Sequence, residues 1–318
     1  MFEVIIQNKI QETPNIASFE LVRADGQAMP LFETGSHIDV HISDAFTRQY
    51  SLINHSRSNE FYKIAVLNDA NSRGGSVALH KNFNVGDRLT ISAPRNLFPL
   101  NVNSDKVMLF AGGIGITPIM SMAIELDSLG VDFELHYHTR SKQDTAFYQQ
   151  LSSASFSSKV FFYFDGVPEA KGHSVESALA SFTDNTHLYT CGPGGYMDYI
   201  FSTAQNLHWK TENLHKEVFQ AQPKPTESGD KPFKLILSRS GIEIDVDVHQ
   251  SALEAIEDAG VDIDMSCEMG ICGACLTTVI EGQPDHRDEF LTADEKSKNN
   301  QFTPCCSRAL SDSLTIDL

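Results

Sequence analysis

The sequence predicts three modules in one chain: an antiparallel β-barrel, an α/β domain on a parallel sheet, and a C-terminal β-grasp domain. Three observations carry that prediction. Short alternating strand segments punctuated by Gly, Pro and Asn fill residues 1 to about 100, the pattern of an antiparallel barrel. From Lys106 onward, buried strands alternate with helical stretches, which implies a parallel sheet covered by helices. Near the C-terminus a hairpin, a helix, a cysteine-rich loop and a last strand follow one another, the compact order of a β-grasp. A chain of 318 residues has length for two or three such domains with real cores.

In the barrel, strands are expected over 2–9, 16–23, 37–42, 49–54, 61–66 and 87–92, with a helix through 77–80 after Gly74-Gly75-Ser76. The tetrapeptide Arg48-Gln49-Tyr50-Ser51 opens one strand. An Arg holds a phosphate by charge and fork geometry. A Tyr two residues on faces the same side and stacks on a flat ring. Read alone, the tetrapeptide is an exposed Arg beside a core Tyr. Its companion is Asn71-Ser72-Arg73-Gly74-Gly75-Ser76, where free amides at a helix N-terminus suit a second edge of a phosphate. Together in a barrel the two point to a flavin, and the paired phosphate signals suit the terminal monophosphate of FMN.

In the α/β domain, a strand over 106–111 runs into Gly112-Gly113-Ile114-Gly115-Ile116-Thr117-Pro118 and a helix over 119–129, with further strands over 133–138, 160–164 and 186–190. Glycines at such a turn let a dinucleotide's pyrophosphate approach the backbone, where the helix N-terminus favours its charge. The spacing is not G-x-G-x-x-G, so a bare glycine turn stands as the alternative. Cys191-Gly192-Pro193-Gly194-Gly195 supplies a second turn at a strand's C-terminal end, the edge at which open α/β sheets collect ligands. After the second strand, Arg140 and Lys142 suit a 2′-phosphate, whereas Asp144 and Asp165 suit a free ribose hydroxyl. Residues 220–230, with two prolines and no apolar anchor, read as an interdomain linker.

The last module has a hairpin over 233–237 and 242–248, a helix over 252–259 and a strand over 314–318. Between them Cys267, Cys272 and Cys275 fall in a C-x4-C-x2-C spacing, and Cys305 follows 29 intervening residues later. That is the plant-type pattern for a [2Fe–2S] cluster, in which two sulfide-bridged irons take four thiolates. Gly270 and Gly273 suit a loop whose amides turn toward the sulfurs. Zinc is the alternative, but its sites usually carry two C-x2-C or Cys/His pairs. Disulfides fit a secreted chain better.

Composition narrows the classes further. The net charge is −18, which argues against nucleic acid, because a phosphate backbone needs a basic footprint. No apolar run approaches the roughly 18 residues that span a membrane. The first six residues read as a strand rather than the basic start of a signal peptide. A cytoplasmic, monomeric protein with reduced cysteines is expected. Residues 231–318 hold 17 Asp and Glu against 7 Lys and Arg. Such acidity permits a basic protein partner, and equally serves plain solubility.

The ordered set of motifs, namely Arg48–Ser51, Gly112–Pro118, Cys191–Pro193 and the cysteine loop closed by Cys305-Cys306-Ser307-Arg308, resembles the phthalate dioxygenase reductase family over essentially the full length. That family comprises the class IA electron-transfer reductases of Rieske oxygenases. The resemblance implies an FMN-binding barrel over 1–101, an NADH-binding domain over 102–222, a linker over 223–230 and a plant-type ferredoxin over 231–318. It implies that Arg48 contacts the FMN phosphate, that Tyr50 and Ser51 line the isoalloxazine, and that Gly74, Gly75 and Ser76 complete the phosphate site. Gly113, Thr117 and Pro118 would shape the pyrophosphate and nicotinamide pocket, with Cys191 and Gly192 near the nicotinamide and Phe219 near the flavin. Cys267, Cys272, Cys275 and Cys305 would be the cluster ligands. Cys306 departs from the family, whose members usually carry an aliphatic residue there, and it leaves the fourth ligand ambiguous.

The expected activity is electron transfer from NADH through FMN and the cluster to a separate Rieske-type terminal oxygenase. Hydride transfer of this kind depends on positioning and needs no side-chain acid or base. The alternative is a flavin and iron–sulfur redox sensor or regulatory module. A self-contained oxygenase is excluded by the lack of a Rieske C-x-H…C-x2-H pair. His136 and His138, one residue apart on a strand and without cysteine partners, read as structural.

Overall fold

The computed structural model describes residues 1–43, 46–69, 74–167, 174–219 and 229–318. Contacts divide the chain into two units, Met1–Glu217 and Val218–Leu318. The expected linker lies largely outside the described residues, as do Asn71, Ser72 and Arg73.

The first unit begins with strands β1 (Phe2–Thr13), β2 (Ile16–Arg23), β3 (Ser36–Ser43), β4 (Phe46–Ser51) and β5 (Tyr62–Leu67), helix α1 (Gly75–Asn82), and strands β6 (Arg88–Ile91) and β7 (Arg95–Asn96). Their order is β4-β3-β6-β1-β2-β5, with β7 on β3, and all pairings are antiparallel. Just past β4, Ile53 N–H donates to Lys63 O on β5 at 2.9 Å, which brings the two ends of that order together. Alternate residues such as Ile38 and Val40, Phe19 and Leu21, and Ile64 and Val66 fill one buried core. Two strands differ from expectation. β1 runs to Thr13 rather than residue 9, because bulges between Ile6 and Asn8 and between Gln11 and Thr13 absorb its polar interruptions. β4 sits three residues earlier than 49–54, because beyond Ser51 the chain leaves β3 and turns toward β5.

The same unit continues with β8 (Lys106–Gly112), α2 (Ile116–Leu129), β9 (Asp132–Thr139), α3 (Tyr148–Ser152), β10 (Val160–Phe164), α4 (Val175–Leu179), β11 (Thr186–Cys191), α5 (Gly194–Asn206) and β12 (Leu214–Glu217). The sheet is wholly parallel, ordered β10-β9-β8-β11-β12. Val107 to Ala111 are all fully buried, as expected for a central strand covered on both faces. Met108, Phe110, Leu188, Ile200 and Ala204 form one core with α4 and α5. Helix α2 starts at Ile116, earlier than the expected 119, since Pro118 is tolerated in a first turn where its missing N–H has no partner to lose.

The second unit contains β13 (Phe233–Leu237), β14 (Ile242–Val246), α6 (Ala252–Asp258), β15 (Thr277–Glu281), β16 (Pro284–Asp285), α7 (Ala293–Ser297), β17 (Gln301–Phe302), β18 (Arg308–Ala309) and β19 (Ser313–Ile316). Its mixed sheet runs β14-β13-β19-β15-β17, with β13 and β19 parallel. A Ser251–Glu254 capping box starts α6, which buries Ala252, Ala255 and Ile256 against Leu235, Leu237 and Ile316. Strand β15, absent from the sequence reading, leaves the cysteine loop directly and anchors its C-terminal end. Among the described residues no helix is long and apolar enough to cross a membrane.

Candidate functional site

At the barrel end of the first unit, Arg48 and Gly75 are packed together. A Cβ on Gly75 would lie 3.0 Å from Arg48 Cγ and 3.1 Å from Nε, so the Arg48 side chain packs directly on the start of α1. Arg48 Nη1 donates to Thr47 O at 2.7 Å, and the guanidinium lies 5.4 Å from the Phe46 ring centroid. The amides of Gly75 and Ser76 belong to the first turn of α1, which has no side-chain cap, and Gly74 precedes them in the left-handed region at φ 101°. A cation beside uncapped helix amides is the donor set that a phosphate takes. Tyr50 packs on the barrel core, and burial pushes its phenol well above the usual range.

The parallel sheet offers its ligand edge where the strand order reverses. β9 lies on one side of β8 and β11 on the other, so the turns that leave β8 and β11 border a topological switch point. The two turns touch. A Cβ on Gly115 would collide with the Cys191 carbonyl, and one on Gly192 would lie 2.9 Å from Gly112 Cα. Gly113 takes a positive φ of 54°. Thr117 and Pro118 are both buried, and the Thr117 hydroxyl donates to Ile114 O at 3.1 Å. They shape the turn from within. Tyr196 at the start of α5 closes against Gly112 and Gly192, and its hydroxyl lies 2.9 Å from His138 Nδ1.

The barrel strand meets this edge through a residue absent from the sequence reading. Ser51 Oγ, at the end of β4, donates to Glu217 Oε2 at 3.4 Å, and Glu217 is the register partner of Cys191 across β11 and β12. Burial pushes the Glu217 carboxyl up to about 8, against the opposing pull of the Ser51 hydrogen bond. Cys191 is 1 % exposed, and burial together with Glu217 drives its thiol well above the usual value. Arg48, Tyr50 and Ser51 on β4 and Cys191 and Glu217 on β11 and β12 thus lie on strands of a single unit, joined by the Ser51–Glu217 contact. The one available signal for Glu217 was a carboxylate ending a short strand just before the linker. Phe219 stands half-buried two residues later, at the start of the second unit.

Around the ribose-side loop, the sequence signals are spent locally. Lys142 Nζ sits 4.4 Å from the Tyr148 ring centroid, and Asp144 accepts from Ser141 Oγ at 2.7 Å. Arg140 and Asp165 are exposed. His136 is buried between Phe110 and Phe161, with ring centroids 4.7 and 5.0 Å away.

In the second unit the cysteine loop brings four sulfurs into two pairs. The Cys272 thiol hydrogen-bonds the Cys267 sulfur and holds Cys267 low, and Cys305 does the same for Cys275. Met269 N–H donates to Cys267 Sγ and Ala274 N–H to Cys272 Sγ, each at 3.4 Å. Gly270 and Gly273 take φ of +73° and +68°, a conformation costly for other residues, and this turns the amides inward. Two pairs of thiols with inward amides fit two irons sharing four cysteine ligands. The Cys306 sulfur interacts with that of Cys305, and it also lies 3.4 Å from Thr303 Oγ1 and against Gly270. Arg308, buried behind the loop, donates to the carbonyls of Gln250, Lys231 and Asp247 at 2.7–3.0 Å.

Known proteins share this arrangement. Residues 235–310 match the family model of a 2Fe-2S iron-sulfur cluster binding domain. The chain is 46% identical to a vanillate O-demethylase oxidoreductase of Pseudomonas sp. (strain HR199 / DSM 7063), covering 100% of both chains. It is 38% identical to the carnitine monooxygenase reductase subunit of Escherichia coli (strain K12), covering 100% of this chain and 98% of that one. A solved structure of phthalate dioxygenase reductase, described as a modular structure for electron transfer from pyridine nucleotides to [2Fe-2S], superposes with a TM-score of 0.78 at 37% identity, over 100% of this chain and 98% of that one.

Proposed function

This chain belongs to the family of phthalate dioxygenase reductase and vanillate O-demethylase oxidoreductase, and from that premise we propose the residues and the partner through which it works. It is the reductase component of an oxygenase system, moving electrons from a pyridine nucleotide through a flavin to a [2Fe–2S] cluster and on to the oxygenase. Bound flavin converts the two-electron delivery of a nicotinamide into single electrons, which a two-iron cluster carries one at a time.

The observation that carries the reading is the meeting of β4 and β12, where Ser51 reaches Glu217 beside Cys191. It supports one crevice for both the flavin ring and the nicotinamide, because the strand bearing Arg48 and Tyr50 ends on the nucleotide edge of the parallel sheet. Arg48 with the amides of Gly75 and Ser76 holds the flavin phosphate, and the single phosphate site favours FMN. Gly74 sets the turn before those amides. Tyr50 and Ser51 bound the ring. Gly113 and Gly192 let the dinucleotide backbone close on the sheet edge, Thr117 and Pro118 keep that turn rigid, and Cys191 excludes water beneath the nicotinamide. Glu217 keeps the Ser51 hydroxyl oriented. Cys267, Cys272, Cys275 and Cys305 hold the cluster.

The reading extends to NADH as donor, a Rieske-type oxygenase as acceptor, and a monomer in the reducing cytoplasm, where its free thiols stay reduced. No feature of the chain favours a regulatory module. Anaerobic stopped flow on the loaded protein tests the route. NADH should bleach the flavin band first and the cluster band second, and ferricyanide should sustain many turnovers. One stoichiometric reduction without turnover would overturn the electron-supply role. Flavin released by heat should run as FMN on a column, and FAD would refute the phosphate assignment.

A further inference from the structure

Behind the cysteine loop lies a carboxylate that the electron route does not use. Asp288 is fully buried. Its Oδ2 accepts Leu291 N–H at 2.7 Å, while its Oδ1 has no hydrogen bond among the described residues. Two basic side chains face it. Lys296, on α7, donates from Nζ to the Asp288 carbonyl oxygen and stands 3.7 Å from Oδ2. His286 Nδ1, also buried without a hydrogen bond, stands 3.7 Å from Oδ1.

Asp288 also packs on the loop itself. Glu289 N–H donates to Gly270 O at 2.9 Å. A Cβ on Gly270 would lie 3.2 Å from Asp288 Cβ and would collide with Cys306 Sγ. Asp288, Gly270 and Cys306 therefore form one contact, and Cys306 adjoins Cys305.

We infer that Asp288 and Lys296 form a charge pair that sets the reduction potential of the cluster. The inference rests on the ligand assignment above. One-electron reduction adds a negative charge to the cluster, and iron–sulfur potentials follow the net charge and hydrogen bonding around the site. A fixed anion away from water opposes that added charge, and a cation beside it favours it. Asp288 lowers the potential, and Lys296 limits how far.

The test is a spectroelectrochemical titration of full-length loaded protein, with the cluster followed by EPR. Asp288→Asn keeps an acceptor for Leu291 N–H and removes the charge, so the midpoint should shift positive. Lys296→Gln removes the counter-charge from a partly exposed position, so the midpoint should shift negative. Both variants should keep the cluster absorbance and EPR signature of the parent. Shifts of the same sign, or no shift in either, overturn the inference, because a merely structural prop for the Gly270 turn has no reason to give opposite signs. If Asp288→Asn fails to load, Lys296→Gln decides alone, and an unchanged or positive midpoint refutes the pair. A parent protein without [2Fe–2S] absorbance would instead refute the ligand assignment.

Discussion

Arg48 packs against the backbone of Gly75, so the proposed phosphate site joins one side chain to the first amides of α1. Arg48→Ala should weaken FMN binding by about 1.5–3 kcal/mol, the usual worth of a charge-assisted contact, or roughly 10- to 150-fold in Kd. Titration of flavin into the apoprotein measures it. Among the cysteines, Cys272→Ser should abolish the cluster absorbance while NADH-to-ferricyanide turnover through the flavin persists, and Cys306→Ser should keep the cluster. A cluster that survives Cys305→Ser and disappears with Cys306→Ser would reverse the ligand set. Glu217 makes a prediction about pH. Its folded carboxyl titrates near 8 rather than near 4.5, so between those values the folded state holds a proton that the unfolded chain has released. Stability therefore falls as pH rises through that window, and the cost is complete above about 8. Glu217→Gln should leave Tm almost unchanged at about pH 4.5 and raise it most above about pH 8, as a pair of thermal melts would show.

Among the elements, the turns leaving β8 and β11 behave as one object because their backbones touch. Gly115→Ala places a methyl on the Cys191 carbonyl and 2.7 Å from Gly192 N, where backbone cannot swing aside as a side chain would. Overpacking of this kind costs about 1–3 kcal/mol. The expected result is a lower Tm and a raised KM for NADH with flavin content retained. An unchanged KM would show that the turn pair does not shape the nucleotide site. Helix α1 and strand β4 form a comparable pair, joined through Gly75 and Arg48. In both cases a strand end and a helix start pack together at the proposed site.

Across the whole molecule, charge is distributed by unit. The acidic segment 231–318 crowds carboxylates near the cysteine loop, where burial and then the charges of Glu268, Glu254 and Asp258 raise the Glu257 carboxyl. Asp262 and Asp264 precede the loop directly. If this face docks a basic patch on the oxygenase, opposite charge raises the association rate more than the affinity. Coupled oxygenase turnover should then fall between about 20 and about 300 mM salt, roughly a fourfold change in Debye length. NADH-to-flavin reduction by stopped flow, which needs no partner, should stay level. Flat coupled turnover would leave solubility as the reason for the charge.

The sequence alone determined the three folds, because alternation, strand–helix rhythm and turn residues act over short stretches of chain. It also determined the motifs, since C-x4-C-x2-C and the two glycine turns are local in sequence. It located β4 three residues too late and omitted β15, because neighbouring strands decide where a ladder starts and stops. Which of Cys305 and Cys306 completes the cluster ligands is a matter of tertiary packing, because the two are adjacent and spacing cannot rank them; Cys305 is the ligand proposed above. Only the tertiary structure joined Ser51 to Glu217, 166 residues on, and set Asp288 against Gly270. These contacts follow from how strand ends are stacked, and no local pattern of residue types encodes that.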